Sequence, residues 1–265
     1  MFGNHLKTML TPSSDRPAPG AAPLAALRRD ARREALPCFV LLAALAIVLG
    51  HLGALGPWFQ LKALAVFAGA FALVLSGLAA HAPKARFGAA NRVTLARLAL
   101  IALLAALVGE PVGDAAAWGG IAVAAGAALL DALDGPLARR SGLDSDFGAR
   151  FDLECDALLV LVLSLLVVHF GKAGPWMLAA GLMRYLFVLA AHPWPWLASA
   201  LPPSRRRKTV CVLQITSLIV CLAPVIAPSW SRALAAASLA LLAASFAIDI
   251  AWLLRHRHAS QETTA

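Results

Sequence analysis

The sequence predicts an all-α fold: a polytopic membrane helical bundle. The chain of 265 residues is 60% hydrophobic and only 14% charged, against about 45–50% apolar for a soluble domain. Its mean hydropathy is +0.76. Its apolar residues fall into eight segments broken by short polar links, each close to the roughly 20 residues that cross a bilayer as a helix.

Taken in order, residues 1–36 form a cytoplasmic segment. Within it, 11–24 (TPSSDRPAPGAAPL) has the composition of a disordered stretch. Residues 25–36 (AALRRDARREAL) have the spacing of a basic amphipathic helix. That helix either lies on the membrane surface or is a solvated lead into the first span. The first strongly apolar run starts near Pro37, too late for the core of a cleaved signal peptide. The expected spans are 37–55, 62–80, 94–110, 115–133, 154–171, 175–192, 209–227 and 233–254. Glu110-Pro111-Val112-Gly113-Asp114 divides the third from the fourth, and its Pro and Gly favour a tight turn over a continuous helix. Residues 255–265 form a cytoplasmic tail.

Lys and Arg are distributed in a way that sets orientation. The N-terminal segment, the link before the third span, the link between the fourth and fifth, the link before the seventh and the tail together carry nineteen. The opposite side carries three, Lys62, Lys172 and Arg232, and Arg184 lies within a span. This asymmetry predicts eight crossings with both termini cytoplasmic. The net charge of +9 therefore belongs to juxtamembrane links that face anionic headgroups. No zinc-finger, RNA-recognition or helix-turn-helix pattern accompanies it, so nucleic acid is not an expected partner.

Cys38, Cys155, Cys211 and Cys221 have no paired spacing and read as small apolar side chains. Neither a disulfide nor a zinc site is expected. His169, His192, His256 and His258 likewise have no metal-binding spacing.

The chemistry concentrates in Asp131–Asp156, DALDGPLARRSGLDSDFGARFDLECD. Asp131 and Asp134 are three apart, and Asp152 and Asp156 are four apart, so each pair shares one helical face. If the fourth and fifth spans are neighbours, the four carboxylates face one another at the membrane boundary. Unpaired they would repel, and intramembrane carboxylates are costly without a function. Oxygen-only ligands suit Mg²⁺ or Mn²⁺, and two such ions can clamp the oxygens of a phosphoryl displacement. Arg139 can hold a phosphate through a forked contact. Gly135 and Gly148 permit close approach of a ligand to the backbone. The alternative is a set of interfacial charges pairing with Arg139, Arg140 and Arg150, which accounts for single charges but not for the whole spacing.

That spacing is Asp131-x2-Asp134-Gly135-x2-Ala138-Arg139-x8-Gly148-x3-Asp152-x3-Asp156. It resembles the signature of the CDP-alcohol phosphatidyltransferase family at every specified position. Two further stretches are similar to the family: Asn91-Arg92-Val93-Thr94 with Arg97, and Lys208-Thr209 with Gln214. A Gly often precedes that lysine in relatives, where this chain has Arg205-Arg206-Arg207. The resemblance covers about residues 91–254, six of the eight spans. It implies a six-helix core preceded by two additional transmembrane helices in residues 37–90, commonly assembled as a homodimer. It implies a membrane enzyme of phospholipid synthesis that transfers a phosphatidyl group from CDP-diacylglycerol to an alcohol and releases CMP. Asp131, Asp134 and Asp152 match metal-ligand positions. Asp156 matches the last Asp, a ligand and the proposed general base. Gly135, Ala138, Arg139 and Gly148 match positions that line the cytidine diphosphate site, with Asn91 and Thr94 in the opening segment. The protein is expected in a bacterial inner membrane, with its site at the cytoplasmic face.

The acceptor is less determined. Arg184, Arg205, Arg206 and Lys208 are candidates to bind it, and a small phosphate such as glycerol 3-phosphate suits them. Inositol phosphate, serine, another alcohol or a phospholipid are the alternatives. The basic run also serves as a topology signal, and Arg184, costly in mid-span, also reads as an ion-pair partner, for example of Asp249. A transporter or a non-catalytic scaffold is the other class. No inverted repeat with interrupted helices supports transport, and divalent-dependent CMP release separates these classes.

Overall fold

The computed structural model describes residues 21–81, 87–141, 146–199 and 201–256. Among the described residues are eight α-helices and no strand: α1 (Ala21–Leu52), α2 (Phe59–Gly77), α3 (Ala89–Ala106), α4 (Asp114–Ser141), α5 (Asp146–His169), α6 (Leu178–Ala190), α7 (Arg205–Cys221) and α8 (Pro228–His256). Each expected span overlaps one of them, with ends that differ by up to sixteen residues. By length and apolarity alone, five can cross a membrane: α1 from Leu24, α2, α3, α4 as far as Asp131, and α8. α6 with the 3-10 turn before it makes a shorter apolar rod, Pro175–Ala190. α5 and α7 carry their Asp, Glu, Lys and Arg residues in their first turns and have none beyond them. The chain is thus an all-helical, multi-pass membrane protein.

The helix carrying residues 25–36 does not end where the first span begins. α1 runs unbroken through Pro37. One buried stripe, Leu27, Ala31, Ala35, Cys38, Leu42, Ala46 and Leu49, passes along its full length. Its spacing repeats every eleven residues, Leu27 to Cys38 to Leu49, which keeps one face of a helix turned inward. Pro37 is exposed, and packing on both sides holds the helix across it. Large exposed apolar side chains on α1 begin only at Leu36. Arg28, Arg29, Arg32 and Arg33 are exposed just before it. The surface helix and the first span are one rod of 32 residues, about 48 Å long.

α3 is the hub. It packs against α1, α2, α4 and α5, and Leu95, Leu98, Ala99, Ile101, Ala102, Leu103 and Leu104 are buried around its circumference. A helix apolar on all sides belongs in the interior. α7 pairs with α8, and α5 bridges α3 to α6 and α7. The predicted turn after α3 is present: Gly109 has φ of 82°, a conformation that glycine adopts without penalty, and α4 begins at Asp114. The link expected between the acidic pairs is shorter than the sequence suggests, because α4 continues to Ser141 and α5 starts at Asp146.

At the end of the bundle opposite the acidic pairs, Glu110 fastens the first two helices to the rest. Its Oε2 accepts the Gly56 N–H at 2.6 Å, and its carboxylate pairs with Lys62. His169 Nε2 lies 2.8 Å from the Glu110 carbonyl. Lys172 Nζ donates to the Ala223 and Ile226 carbonyls, each at 2.8 Å, where a cation complements the exposed end of α7. Burial works against the charge on Glu110, but Lys62 and the Gly56 amide outweigh it and hold this carboxyl below its usual 4.5. A lowered pKa in the folded state gives stability that is complete above 4.5 and is lost as pH falls through the folded value. Glu110→Gln should cost about 1–2 kcal/mol. Thermal unfolding in detergent should show that gap near neutral pH and show it closing in acid; a gap independent of pH would refute the assignment.

Candidate active site

The opening of the site lies on α3. Asn91, Thr94 and Arg97 follow one another at three-residue steps and are buried, a polar stripe on an otherwise apolar helix. Asn91 Nδ2 donates to the Phe87 carbonyl at 2.5 Å, and Thr94 Oγ1 donates to the Ala90 carbonyl at 3.1 Å. Cys155 of α5 lies against the Thr94 carbonyl, which sets the stripe facing α5.

Arg97 is the centre. Its side chain has no exposure, yet its guanidinium meets three carboxylates from two other helices. Nη1 lies 3.0 Å from Asp131 of α4 and also pairs with Asp152 of α5. Nη2 meets Asp156 at 2.5 Å. The acids are more open, at 38%, 40% and 24% exposure respectively. The cation is thus fixed inside the bundle while the carboxylates rim an opening. Planarity suits guanidinium to this forked contact.

Asp131, Asp152 and Asp156 each offer an oxygen, and these oxygens lie within 4.8 Å of one another. With all three ionised, one guanidinium against three carboxylates leaves two negative charges. A hard divalent cation fits both that charge and an all-oxygen donor set. Asp134, Gly135, Ala138 and Arg139 are on the last turns of α4; their side chains lie outside the described residues. Gly148 sits in the first turn of α5.

A cavity of about 70 Å³ adjoins the cluster, lined by Arg97, Asp131 and Thr216 on its polar side and by Ala128, Leu159, Val212 and Ile215 on its apolar side. It sets Asp131 and Arg97 beside apolar side chains of α4, α5 and α7. Cys211 of α7 lies near the same acids. Gln214, three residues on, is buried at 1% exposure, and its amide atoms have no partner among the described residues. A buried amide is costly without a partner.

The four acceptor-binding candidates separate. Lys208 is exposed and close enough to Asp152 for its charge to act on that carboxylate. Arg205 is exposed beside it. Arg206 is engaged elsewhere: Nη2 meets Asp249 of α8 at 2.5 Å, and Nη1 donates to the Ser245 carbonyl and Oγ at 2.7 and 2.6 Å. Arg207 joins the same Asp249 at 3.2 Å. Arg184 pairs with Glu154 of α5, so its ion-pair partner is not Asp249, whose carboxylate already serves two arginines of the adjacent α7. The residue that sequence reasoning missed as a site member is Arg97. Its position three residues after Thr94 was the available signal, because that step continues the polar stripe.

A family model described as CDP-alcohol phosphatidyltransferase matches residues 87–249, more than half of the chain. No curated protein and no solved structure matches it. The matched stretch starts at Phe87, whose carbonyl holds Asn91, and ends at Asp249, which ties α8 to α7. It contains the whole spacing from Asp131 to Asp156 and the arginine that gathers three of its carboxylates. Its expected chemistry is transfer of a phosphatidyl group from a CDP-alcohol to an acceptor. The chain belongs to the CDP-alcohol phosphatidyltransferase family.

Proposed function

We propose that the protein transfers the phosphatidyl group of CDP-diacylglycerol to a small phosphorylated alcohol, with glycerol 3-phosphate the favoured acceptor, at the cytoplasmic face of a bacterial inner membrane. The observation that carries this reading is the convergence of Asp131, Asp152 and Asp156 on the buried Arg97. A net negative cluster next to an apolar cavity suits a substrate with a charged diphosphate head and a lipid tail.

Asp131, Asp134, Asp152 and Asp156 would hold Mg²⁺ or Mn²⁺, in two ions by analogy with the family, and the metal would stabilise charge on the diphosphate as a Lewis acid. Arg97 orients three of these carboxylates. Arg139 is assigned to the diphosphate, and Asn91, Thr94, Gly135, Ala138 and Gly148 to the cytidine end. Asp156 takes the proton of the acceptor hydroxyl. The hydroxyl oxygen bonds to the phosphorus that bears diacylglycerol, the bond from that phosphorus to the bridging oxygen breaks, and CMP leaves with the electron pair. Proton transfer by a placed carboxylate requires hydrogen-bond reach, about 2.6–3.2 Å. A homodimer is part of this reading on family resemblance.

Of the basic candidates, Lys208 and Arg205 suit the acceptor phosphate best, since Arg206 and Arg184 already fasten helices together. The test is release of CMP from CDP-diacylglycerol by purified protein with Mg²⁺ or Mn²⁺ and a panel of acceptors. No CMP with any acceptor would overturn the proposal. In the same assay, Lys208→Ala should raise the KM for a phosphorylated acceptor about ten-fold while changing that for CDP-lipid little. Equal effects on both constants would remove Lys208 from the acceptor site.

A further inference from the structure

The first two helices precede the stretch that carries the family resemblance, yet one of them reaches the start of the site. Asp30 of α1 accepts the Phe87 N–H on Oδ2 at 2.9 Å. Four residues along the same face, Glu34 meets Arg92 at 3.2 Å. Phe87 is fully buried, and its carbonyl receives the Asn91 amide. Between them Gly88 has φ of 88° and ψ of 154°, a backbone conformation that other residues seldom adopt. The turn into α3 is therefore held from two sides: by Asp30 at the Phe87 N–H and by Asn91 at the Phe87 carbonyl.

We propose that Asp30 is a positioning residue for the nucleotide end of the active site, and that the cytoplasmic half of α1 is a working part of the catalytic unit. The inference rests on the assignment of Asn91 and Thr94 to the cytidine side of the substrate. Pinning Asn91 Nδ2 to Phe87 fixes the plane of its amide, and so fixes where Oδ1 presents an acceptor. Asp30 holds the residue to which that amide is pinned. Asn91, Thr94 and Arg97 lie on one rigid helix, so a shift at its first turn moves the stripe against the carboxylates of α4 and α5. Among the described residues, Asp30 bonds to the Phe87 N–H and not to Asp131, Asp152 or Asp156. The second attachment of the extra helices, Glu110 with Gly56 and Lys62, lies at the far end of the bundle and supplies a control. It joins the same helices to the same core, but at the opposite end of α3.

The experiment uses the full chain in lipid nanodiscs. Asp30→Ala should raise the KM for CDP-diacylglycerol about ten-fold, leave the KM for the acceptor unchanged and alter kcat less than about two-fold. Asp30→Asn should restore the wild-type constant, because its amide oxygen accepts the same N–H. Lys62→Ala should leave the KM for CDP-lipid at the wild-type value. Asp30→Leu, which keeps the branched shape and removes the acceptor, is read in the same way if Asp30→Ala does not fold. Equal KM effects from Asp30→Ala and Lys62→Ala would show general loosening and overturn the proposal, as would failure of Asp30→Asn to rescue. Hydrogen exchange across Phe87–Arg92 is independent of turnover: it should accelerate in Asp30→Ala and not in Asp30→Asn. Unchanged exchange would sink the positioning role, whereas absence of CMP release by the wild type would sink only the assigned reaction.

Discussion

Asp156→Asn abolishes turnover while CDP-lipid binding stays largely intact: that is the expected result of removing the base from an otherwise complete site. The amide keeps the shape of the side chain and can still accept a hydrogen bond from Arg97 Nη2, which meets Asp156 Oδ1. It can no longer take a proton from an attacking hydroxyl. General-base catalysis contributes about 10²–10⁴-fold, so CMP release should fall at least a hundred-fold. Equilibrium binding of CDP-diacylglycerol, measured beside CMP release, separates the two roles assigned to this carboxylate. Binding lost in parallel with turnover would make Asp156 a ligand and not a base. Unchanged turnover would remove it from the chemistry.

The second large effect is on stability. Arg97→Ala leaves Asp131, Asp152 and Asp156 facing one another without the guanidinium that joins them. Removing one partner of a buried pair costs about 3–5 kcal/mol. Two of these acids are more than a third exposed, so water relieves part of the loss, and roughly 2–3 kcal/mol is expected. Activity should vanish as well, since the carboxylates lose the group that holds them together. Arg97→Lys should recover little, because one ammonium cannot reproduce the planar fork that spans two helices. Millimolar Mg²⁺ should raise the melting temperature of Arg97→Ala more than that of the wild type. The variant cluster has one more unbalanced negative charge, and a cation that binds only the folded state stabilises it. A variant that melts like the wild type and responds no differently to Mg²⁺ would show that Arg97 does not organise the acids.

The helices and the acidic spacing were legible in the sequence because both are local. A hydrophobic run of the right length, or two Asp three or four residues apart, is visible without knowledge of what packs where. What stayed hidden depends on contacts between distant segments. Arg97 was counted with the basic residues of a link and seen as part of the stretch similar to the family, but given no role at the site; only packing of α4 and α5 on α3 shows that it gathers Asp131, Asp152 and Asp156. The acidic pairs were expected to meet because their spans adjoin in sequence; Asp131, Asp152 and Asp156 meet across a side chain from an earlier helix. Pro37 looked like a boundary because the first strongly apolar run starts there, after a charged stretch. The eleven-residue stripe on both sides of it holds α1 in one piece. Arg184 and Asp249 looked like partners because each was a lone charge in an apolar segment. Each has a partner on a neighbouring helix, Glu154 for the first and Arg206 with Arg207 for the second.

The eleven-residue stripe also bears on how this enzyme can be cut. The family match starts at residue 87, which invites a shortened version built from that point onward. Such a truncation would strip α3 of two of its four neighbours and hand its apolar flank to lipid. It would also leave the first backbone N–H of the retained piece, and a glutamate at the far side, without the groups that satisfy them. The family match begins at that residue, but the packing that makes this chain one body does not.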